Sequence, residues 1–260
     1  MSGRPVVEVT NGSAKPDGLP RRAMVMAAGF GKRMRPITNN LPKPLIEVAG
    51  RSLLDRAIDR LEEAGIETVV VNTHHLGHLI EQHLRQREAP EILISPEEEQ
   101  ILETGGGVAH ALHLLGDEPF YVVNGDSMWL DGYESALWRM WRQWDDDKMD
   151  ALLLVHSTVT AFGYSGRGEF LLDPLGRISR RPEQEDSPYL FSGIQILHPR
   201  LFEGCPEGAF SLNLLYNKAG EAERLYGIVH DGEWFHVGNP DGLAEAEDYL
   251  TQRWPESRRR

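Results

Sequence analysis

Four cations stand within twelve residues of one glycine-rich segment. In the run AAGFGKRMRPITNNLPKPL, from Ala27 to Leu45, Lys32, Arg33, Arg35 and Lys43 flank Gly29 and Gly31. Such a segment can turn its backbone N–H groups towards an anion and surround it with positive charge, which is the chemistry needed to cradle a polyphosphate. Pro36, Pro42 and Pro44 stiffen the stretch and limit where Lys43 points. Two familiar phosphate loops are absent. The dinucleotide fingerprint needs glycine where Met34 stands, and the P-loop needs Ser or Thr after Gly31-Lys32, where Arg33 follows. A solvated basic turn remains the competing reading of the four cations. Further along, Asn124-Gly125-Asp126 ends an apolar run, and Thr104-Gly105-Gly106 opens an apolar helix whose backbone amides could read the edge of a base.

These groups need a scaffold, and the hydrophobic pattern supplies one. Ala23–Ala28 reads as a buried strand ending at the glycines, which puts the loop where open α/β sheets bind ligands. Ser52 caps the amphipathic run Leu53–Ala64 and Gly65 stops it. Strands at Ile66–Val71, Glu91–Ile94, Phe120–Val123 and Ala151–Val155 alternate with helices at Leu76–Arg87, Thr104–Leu115 and Tyr133–Trp144. This alternation predicts an α/β fold, a Rossmann-like doubly wound and mostly parallel sheet. After Phe162 the texture changes to short strands among Gly and Pro turns (Phe170–Leu172, Arg177–Ser179, Tyr189–Leu197, Leu225–Val229, Glu233–His236), and Asp241–Tyr249 closes as a helix. These strands are expected to add antiparallel edges to the sheet. The expected organisation is a mobile arm over 1–21, one domain over 22–252 and a solvated tail over 253–260. Within that domain the two halves are about 22–156 and 157–252.

The 260 residues are enough for one large domain without a disulfide or metal staple. Twenty-seven Lys and Arg against 40 Asp and Glu leave a formal charge of −13. That balance argues against nucleic acid and against an anionic membrane as partners. The single Cys205 allows no internal disulfide, and with no apolar run near a membrane span and no signal-type stretch at the start, a cytoplasmic location is expected. The histidines at 74, 75 and 78 lack the intervening Glu of a metalloprotease helix and read as a polar turn. Glu97-Glu98-Glu99 reads as a solvated acidic loop. Trp138, Trp141 and Trp144 fall at helical spacing and read as packing, as does Trp129, although stacking on a sugar is the other use of that ring.

The order of these motifs resembles the sugar-1-phosphate nucleotidyltransferases. The resemblance runs from A-A-G-x-G-x-R-M-R-P-x-T and P-K-P-L through Leu102–Gly107, Val123–Asp126 and Phe191–Ile194 to Trp234–Gly238, over about residues 22–250. Within that family Gly166–Phe170, Leu201–Cys205 and the compact length are most similar to the branch that uridylylates N-acetylmuramate α-1-phosphate. The absence of a left-handed β-helix repeat sets aside the bifunctional acetyltransferase relatives. The resemblance implies a nucleotide-diphospho-sugar transferase fold and transfer of a nucleotidyl group from UTP to a sugar-1-phosphate, with pyrophosphate released. By the same resemblance Arg33 and Lys43 are catalytic. Ala28, Gly29, Gly31, Lys32, Thr104, Gly105, Gly106 and Asn124 hold the nucleotide together with them. Gly168, Glu169, Ser192 and Gly193 line the sugar site, and Asp126 and His236 face a Mg²⁺ ion, with Mn²⁺ as an alternative. UTP and a sugar-1-phosphate are the expected partners, in a monomer or homodimer.

One position departs from the family pattern. His236 stands where relatives carry Asp, and imidazole is a softer donor than Mg²⁺ prefers. Three readings stay open. His236 ligates the metal and shifts its preference towards Mn²⁺; or it bonds a metal-bound water or phosphate, leaving Asp126 as the sole carboxylate; or the site is weakened and the protein senses nucleotide without turnover. Mg²⁺ commonly keeps several waters, which favours the second. Mannose-1-phosphate guanylyl transfer and glucose-1-phosphate uridylyl transfer are the alternative activities.

Overall fold

The computed structural model describes residues 14–253. Most of the expected arm, residues 1–13, and the tail from 254 lie outside the described residues. Within the described part of the arm, Trp141 Nε1 donates to Asp17 O at 3.0 Å and Arg142 donates to Ala14 O at 2.9 Å.

The elements follow in the order β1 (Arg22–Met26), β2 (Glu47–Val48), β3 (Arg51–Ser52), α1 (Leu53–Ala64), β4 (Thr68–Thr73), α2 (Gly77–Leu84), β5 (Glu91–Pro96) and α3 (Glu103–Leu115). Then come β6 (Phe120–Asn124), β7 (Ser127–Leu130), α4 (Ala136–Gln143), β8 (Ala151–Ser157), β9 (Phe170–Leu172), β10 (Ile178–Arg180), β11 (Tyr189–Leu197), α5 (Leu212–Glu221), β12 (Leu225–Val229), β13 (Glu233–His236) and α6 (Pro240–Arg253). Nine strands form the main sheet. Its spine runs β10-β9-β11-β6-β1-β4-β5, and β8 joins β11 to β12. The β6-β1-β4-β5 block is parallel, whereas β11 runs antiparallel to both β6 and β8.

The strands of the parallel block are apolar because both faces are covered. Along β1, Ala23 and Val25 join one core layer with Leu54, Ile58 and Tyr121, while Met24 points into the opposite layer with Val70, Val108 and Val122. A third, smaller core packs Met34, Leu53, Met128, Phe235 and Leu250 together. It is covered by α6 and by two short ribbons, β2–β3 and β7–β13.

The segment that carries Lys43 is clamped from behind. Lys43–Leu45 forms a tight 3₁₀ turn, and the N–H of Leu53, the first residue of α1, donates to Ile46 O at 3.0 Å. Helix α1 itself starts as the sequence predicts. The Asp55 N–H donates to Ser52 Oγ, whose hydroxyl donates back to Asp55 Oδ2 at 2.8 Å. Asp55 also accepts from His83 Nε2 at 2.8 Å and Arg87 Nη1 at 3.0 Å, which ties α1 to α2 and the segment after it. Burial works to raise the Asp55 pKa, but the bonds from Ser52 and His83 outweigh it and hold the carboxyl below its ordinary 3.8.

Because the folded pKa lies below the unfolded one, the carboxylate contributes stability that is complete above pH 3.8 and is lost as pH falls through the folded value. Asp55→Asn is therefore expected to cost about 1.5–3 kcal/mol at neutral pH. In urea unfolding followed over pH, the gap to the wild type should shrink only below pH 3.8. A gap that stays constant into strong acid removes the charge from this account.

Candidate active site

The carboxyl ends of β1, β4, β5 and β6 converge on one edge of the sheet, and the loops leaving them build the site. Ala27 and Ala28 continue β1 as buried residues before the chain turns at Gly29. Gly31 adopts φ +60°, and a Cβ there would lie 2.9 Å from Thr38 Cγ2 and 3.0 Å from Lys43 Cβ. Thr38 Oγ1 donates to Gly31 O at 2.9 Å, so the loop folds back on the segment that carries Lys43. Lys32 lies over the Phe30 ring at 5.3 Å from its centroid.

Lys43 is almost fully buried, and its Nζ donates to Asp126 Oδ2 at 2.5 Å. Asp126 reaches this position because Gly125 passes close under the end of β1. The Gly125 N–H donates to Met26 O at 2.9 Å, and a Cβ on it would meet that oxygen at 2.6 Å. The next strand, β7, pairs antiparallel with β13 in a register that sets Ser127 opposite His236, one residue beyond Asp126. The imidazole folds over Gly238, where a Cβ would lie 2.2 Å from Nε2. Burial lowers the His236 pKa first, and the Arg33 and Lys43 charges lower it further, against an opposing effect of Asp126. The ring is thereby held in its neutral form, with a lone pair available.

Two cavities flank this group. The first, about 500 Å³, is walled by Met26–Met34 together with Lys43, Asn72, Glu97, Ile101, Glu103 and Thr104. The second, about 530 Å³, is lined by Ser127, Tyr164, Glu169, Phe191–Gly193 and Trp234–Asn239. They share Arg33, Asn124, Asp126 and Gly238, so the two chambers open onto one charged junction. A polyanion held in the first and a second group held in the second would meet at Arg33, Lys43 and Asp126.

Of the residues expected from sequence, Ala28, Gly29, Gly31, Lys32, Arg33, Lys43, Thr104 and Asn124 line the first cavity, and Glu169, Ser192, Gly193 and His236 line the second. Asp126 borders both. Three glycines have other tasks. The N–H groups of Gly105 and Gly106 both donate to Phe210 O, at 2.8 and 3.1 Å, so they are committed inside the protein and do not present themselves to a base. A Cβ on Gly106 would meet Gly208 O at 2.1 Å, which explains the glycine as a packing requirement. Gly168, at φ +73°, packs against Ser187 O and donates its N–H to Tyr164 OH at 3.2 Å. Thr104 Oγ1 accepts from the Leu212 N–H at 2.9 Å, which leaves its O–H free to donate.

Glu97 overturns the reading of a solvated acidic run. It is 3 % exposed, accepting from Asn72 Nδ2 and from the Leu102 N–H, while Glu98 and Glu99 are exposed. Sequence reasoning misses it, together with Asn72, Glu103 and Tyr164 around the cavities. Asn72 leaves one signal, a lone amide at the end of a buried valine run, which is the position Asn124 occupies on β6. Trp129 is a core residue whose Nε1 donates to Asp131 Oδ1 at 3.2 Å, and Trp138, Trp141 and Trp144 pack against the core. Among the described residues no group of three or more His, Cys, Asp or Glu is arranged to hold a metal, and His74 instead bonds Glu97 O at 2.6 Å through Nδ1. No helix among them is long and apolar enough to cross a membrane.

The nucleotidyl transferase family profile matches residues 22–253. The chain belongs to the nucleotidyl transferase family. It is 42% identical over 237 residues to the N-acetylmuramate alpha-1-phosphate uridylyltransferase of Caulobacter vibrioides, an alignment that covers 90% of this chain and 98% of that protein. It is 37% identical to the protein of the same name from Neisseria meningitidis serogroup B, over 87% of this chain and 96% of the relative. Among solved structures a UDP-glucose pyrophosphorylase complexed with UDP-glucose superposes with a TM-score of 0.73 at 21% identity, covering 90% of this chain and all of that one. The expected nucleotide-diphospho-sugar transferase fold is thus observed, with antiparallel strands from the second half, but not all as added edges: β11 lies inside the sheet between β6 and β8, β12 runs parallel to β8, and β13 pairs with β7 outside the main sheet. As a nucleotidyl transferase the chain is an enzyme. Of the four cations read also as a solvated turn, Lys32, Arg33 and Lys43 line the first cavity, whereas Arg35 is exposed and lines neither.

Two of the cavity-lining glycines differ in how tightly they are packed. Gly193 has φ +85°, and a Cβ would lie 2.1 Å from Ser127 Oγ, whereas a Cβ on Gly29 meets nothing within 4 Å. Gly193→Ala is expected to lose about 2 kcal/mol or more in urea unfolding, and Gly29→Ala less than about 0.5 kcal/mol. Equal losses would contradict this geometry.

Proposed function

We propose that this enzyme transfers a uridylyl group from UTP to N-acetylmuramate α-1-phosphate, giving UDP-N-acetylmuramate and pyrophosphate, in the recycling of cell-wall sugars in the cytoplasm. The observation that carries the reading is the meeting of two cavities at the Lys43–Asp126 pair and Arg33. The choice of sugar and base follows the names of the relatives at 42% and 37% identity.

The reaction joins two anions. An oxygen of the sugar-1-phosphate attacks the α-phosphorus of UTP, a new P–O bond forms, and the bond to the β-phosphate oxygen breaks as pyrophosphate leaves. Positioning and charge neutralisation supply most of the catalysis, and no protein group has to move a proton. Glycine-loop amides and Lys32 hold the triphosphate in the first cavity. Arg33, which lines both cavities, pairs with the β- and γ-phosphates and steadies the departing pyrophosphate. Lys43 leaves Asp126 for the α-phosphate, where negative charge accumulates. Thr104 and Asn124 stay on the nucleotide side, and Glu169, Ser192 and Gly193 face the sugar.

A divalent ion suits this junction. Asp126 Oδ2 is engaged by Lys43, yet the carboxylate is 39% exposed, and the neutral His236 adds one nitrogen donor. One carboxylate is a usual protein contribution to Mg²⁺ bound with phosphates and waters, and the imidazole makes Mn²⁺ acceptable too. Asp126 would hold the ion, with His236 beside it, and the ion would neutralise phosphate charge.

The first experiment is pyrophosphate release with UTP or GTP across N-acetylmuramate-, N-acetylglucosamine-, mannose- and glucose-1-phosphate. Turnover is expected to be highest with UTP and the first sugar. A preference for mannose-1-phosphate with GTP would replace the proposed substrates, and silence with UTP still bound would make the protein a sensor. Lys43→Met should lower kcat by about 10²–10³ while changing UTP affinity less than about tenfold. Equal losses would remove Lys43 from the transition state. Asp126→Ala should abolish metal-dependent turnover, and Gly29→Ala should raise the KM for UTP, since the added methyl enters the cavity.

A further inference from the structure

Asn72 and Glu97 are two buried polar side chains that the mechanism does not use. They leave neighbouring parallel strands: Asn72 pairs with Ser95 in the β4–β5 register, and Glu97 follows the end of β5. Asn72 is 1 % exposed and Glu97 3 %. Their hydrogen bonds form a chain with a fixed sense. The N–H of Ala27, the first residue after β1, donates to Asn72 Oδ1 at 2.7 Å. Asn72 Nδ2 donates to Glu97 Oε1 at 2.7 Å, and the Leu102 N–H donates to Glu97 Oε2 at 2.6 Å. Glu97 makes no ion pair among the described residues, so amide donors alone satisfy this buried carboxylate.

The choice of Glu over Gln then has a chemical reason. A carboxylate only accepts, so it can face two N–H donors at once and force the Asn72 amide to turn its oxygen to Ala27. Glutamine would set an NH₂ against either Asn72 Nδ2 or the Leu102 N–H. Gly107 completes the arrangement, since a Cβ there would lie 2.8 Å from Glu97 Oε1 and 3.0 Å from Asn72 Nδ2. The chain's two ends, at Ala27 and Leu102, belong to two segments that both contribute to the lining of the first cavity, the glycine loop and the stretch with Ile101, Glu103 and Thr104.

We infer that Asn72 and Glu97 act as a positioning relay that sets the width of the nucleotide cavity by fixing the amides of Ala27 and Leu102. The inference rests on the proposed UTP site only for its functional readout. Neither residue is assigned a contact with the reacting atoms. The relay depends on hydrogen-bond sense and not on which member carries the charge. Exchanging the pair as Asn72→Asp with Glu97→Gln preserves it. The carboxylate introduced on β4 accepts from the Ala27 N–H and from the amide introduced after β5, whose oxygen accepts from the Leu102 N–H.

The test measures hydrogen exchange at the Ala27 and Leu102 amides without nucleotide, and UTP affinity by calorimetry, in Glu97→Gln, Asn72→Asp and the double variant. Each single change is expected to speed exchange at one or both amides and to weaken UTP binding by at least about tenfold. KM should rise more than kcat falls. The double variant should return both readouts to within about threefold of the wild type, a rescue that lost packing cannot produce. Wild-type exchange and affinity in Glu97→Gln overturns the relay, as does a double variant no better than the singles. If a single variant does not fold, the double is still expected to fold, and its failure to do so also overturns the proposal. Exchange needs no ligand, so a wild type that binds no UTP would refute the proposed function while the relay is still measured.

Discussion

The ion pair between Lys43 and Asp126 is the constraint around which this molecule is arranged. Its partners are 83 residues apart and belong to different structural units. Removing either from water is costly, and a buried charge stripped of its partner costs about 3–5 kcal/mol. The pair holds because each side is built rigidly: Lys43 rides on a 3₁₀ turn clamped by α1, and Asp126 hangs from a glycine pinned to the last carbonyl of β1. The two ends are not equally enclosed. The lysine is 9% exposed against 39% for the carboxylate, so the charge is buried on one side and approachable on the other. A phosphate arriving at that open side can replace the carboxylate as the partner of Lys43 without leaving the ammonium unpaired. The ion pair thus holds this buried cation in a neutralised form.

The end of β1 serves as a common reference for the surrounding loops. Met26 O receives the Gly125 N–H, and Ala27 N–H is bound by Asn72, so the strands on both sides of β1 are tied to it at the level where the sheet stops. Parallel strands end together at such an edge, and the loops that leave them inherit that alignment. The β7–β13 ribbon extends the same registration outward. A ladder that places Ser127 opposite His236 fixes the imidazole relative to Asp126 without any direct bond between the two.

What is legible in the sequence is what short-range chemistry determines. Ser52 and Gly65 bound α1 as their types predict, because caps act over three or four residues. The four cations, Asp126 and the buried strands are visible as composition and period. What escapes a sequence reading depends on partners far along the chain. The amides of Gly105 and Gly106 are taken by Phe210, more than a hundred residues on, and nothing near them in sequence reveals it. Glu97 reads with its acidic neighbours, but its fate is settled by Asn72 on the adjacent strand. Helix α5 is easily passed over although Leu212, Leu215, Tyr216 and Ala219 carry a helical period, since it is short and sits among turns. The four-residue β7 is too brief for alternation to show.

The histidine at 236 is best understood through the charge it leaves behind. At the junction Arg33 and Lys43 are positive, Asp126 is negative, and burial with two nearby cations keeps His236 neutral. Those groups carry one net positive charge, in a chain whose formal total is −13. A second carboxylate at 236 would cancel it. Around the junction the cavities also carry Lys32, Glu97, Glu103 and Glu169, so the positive charge is confined to the junction itself. The neutral imidazole thus sets the sign of the charge at the point where the two cavities meet.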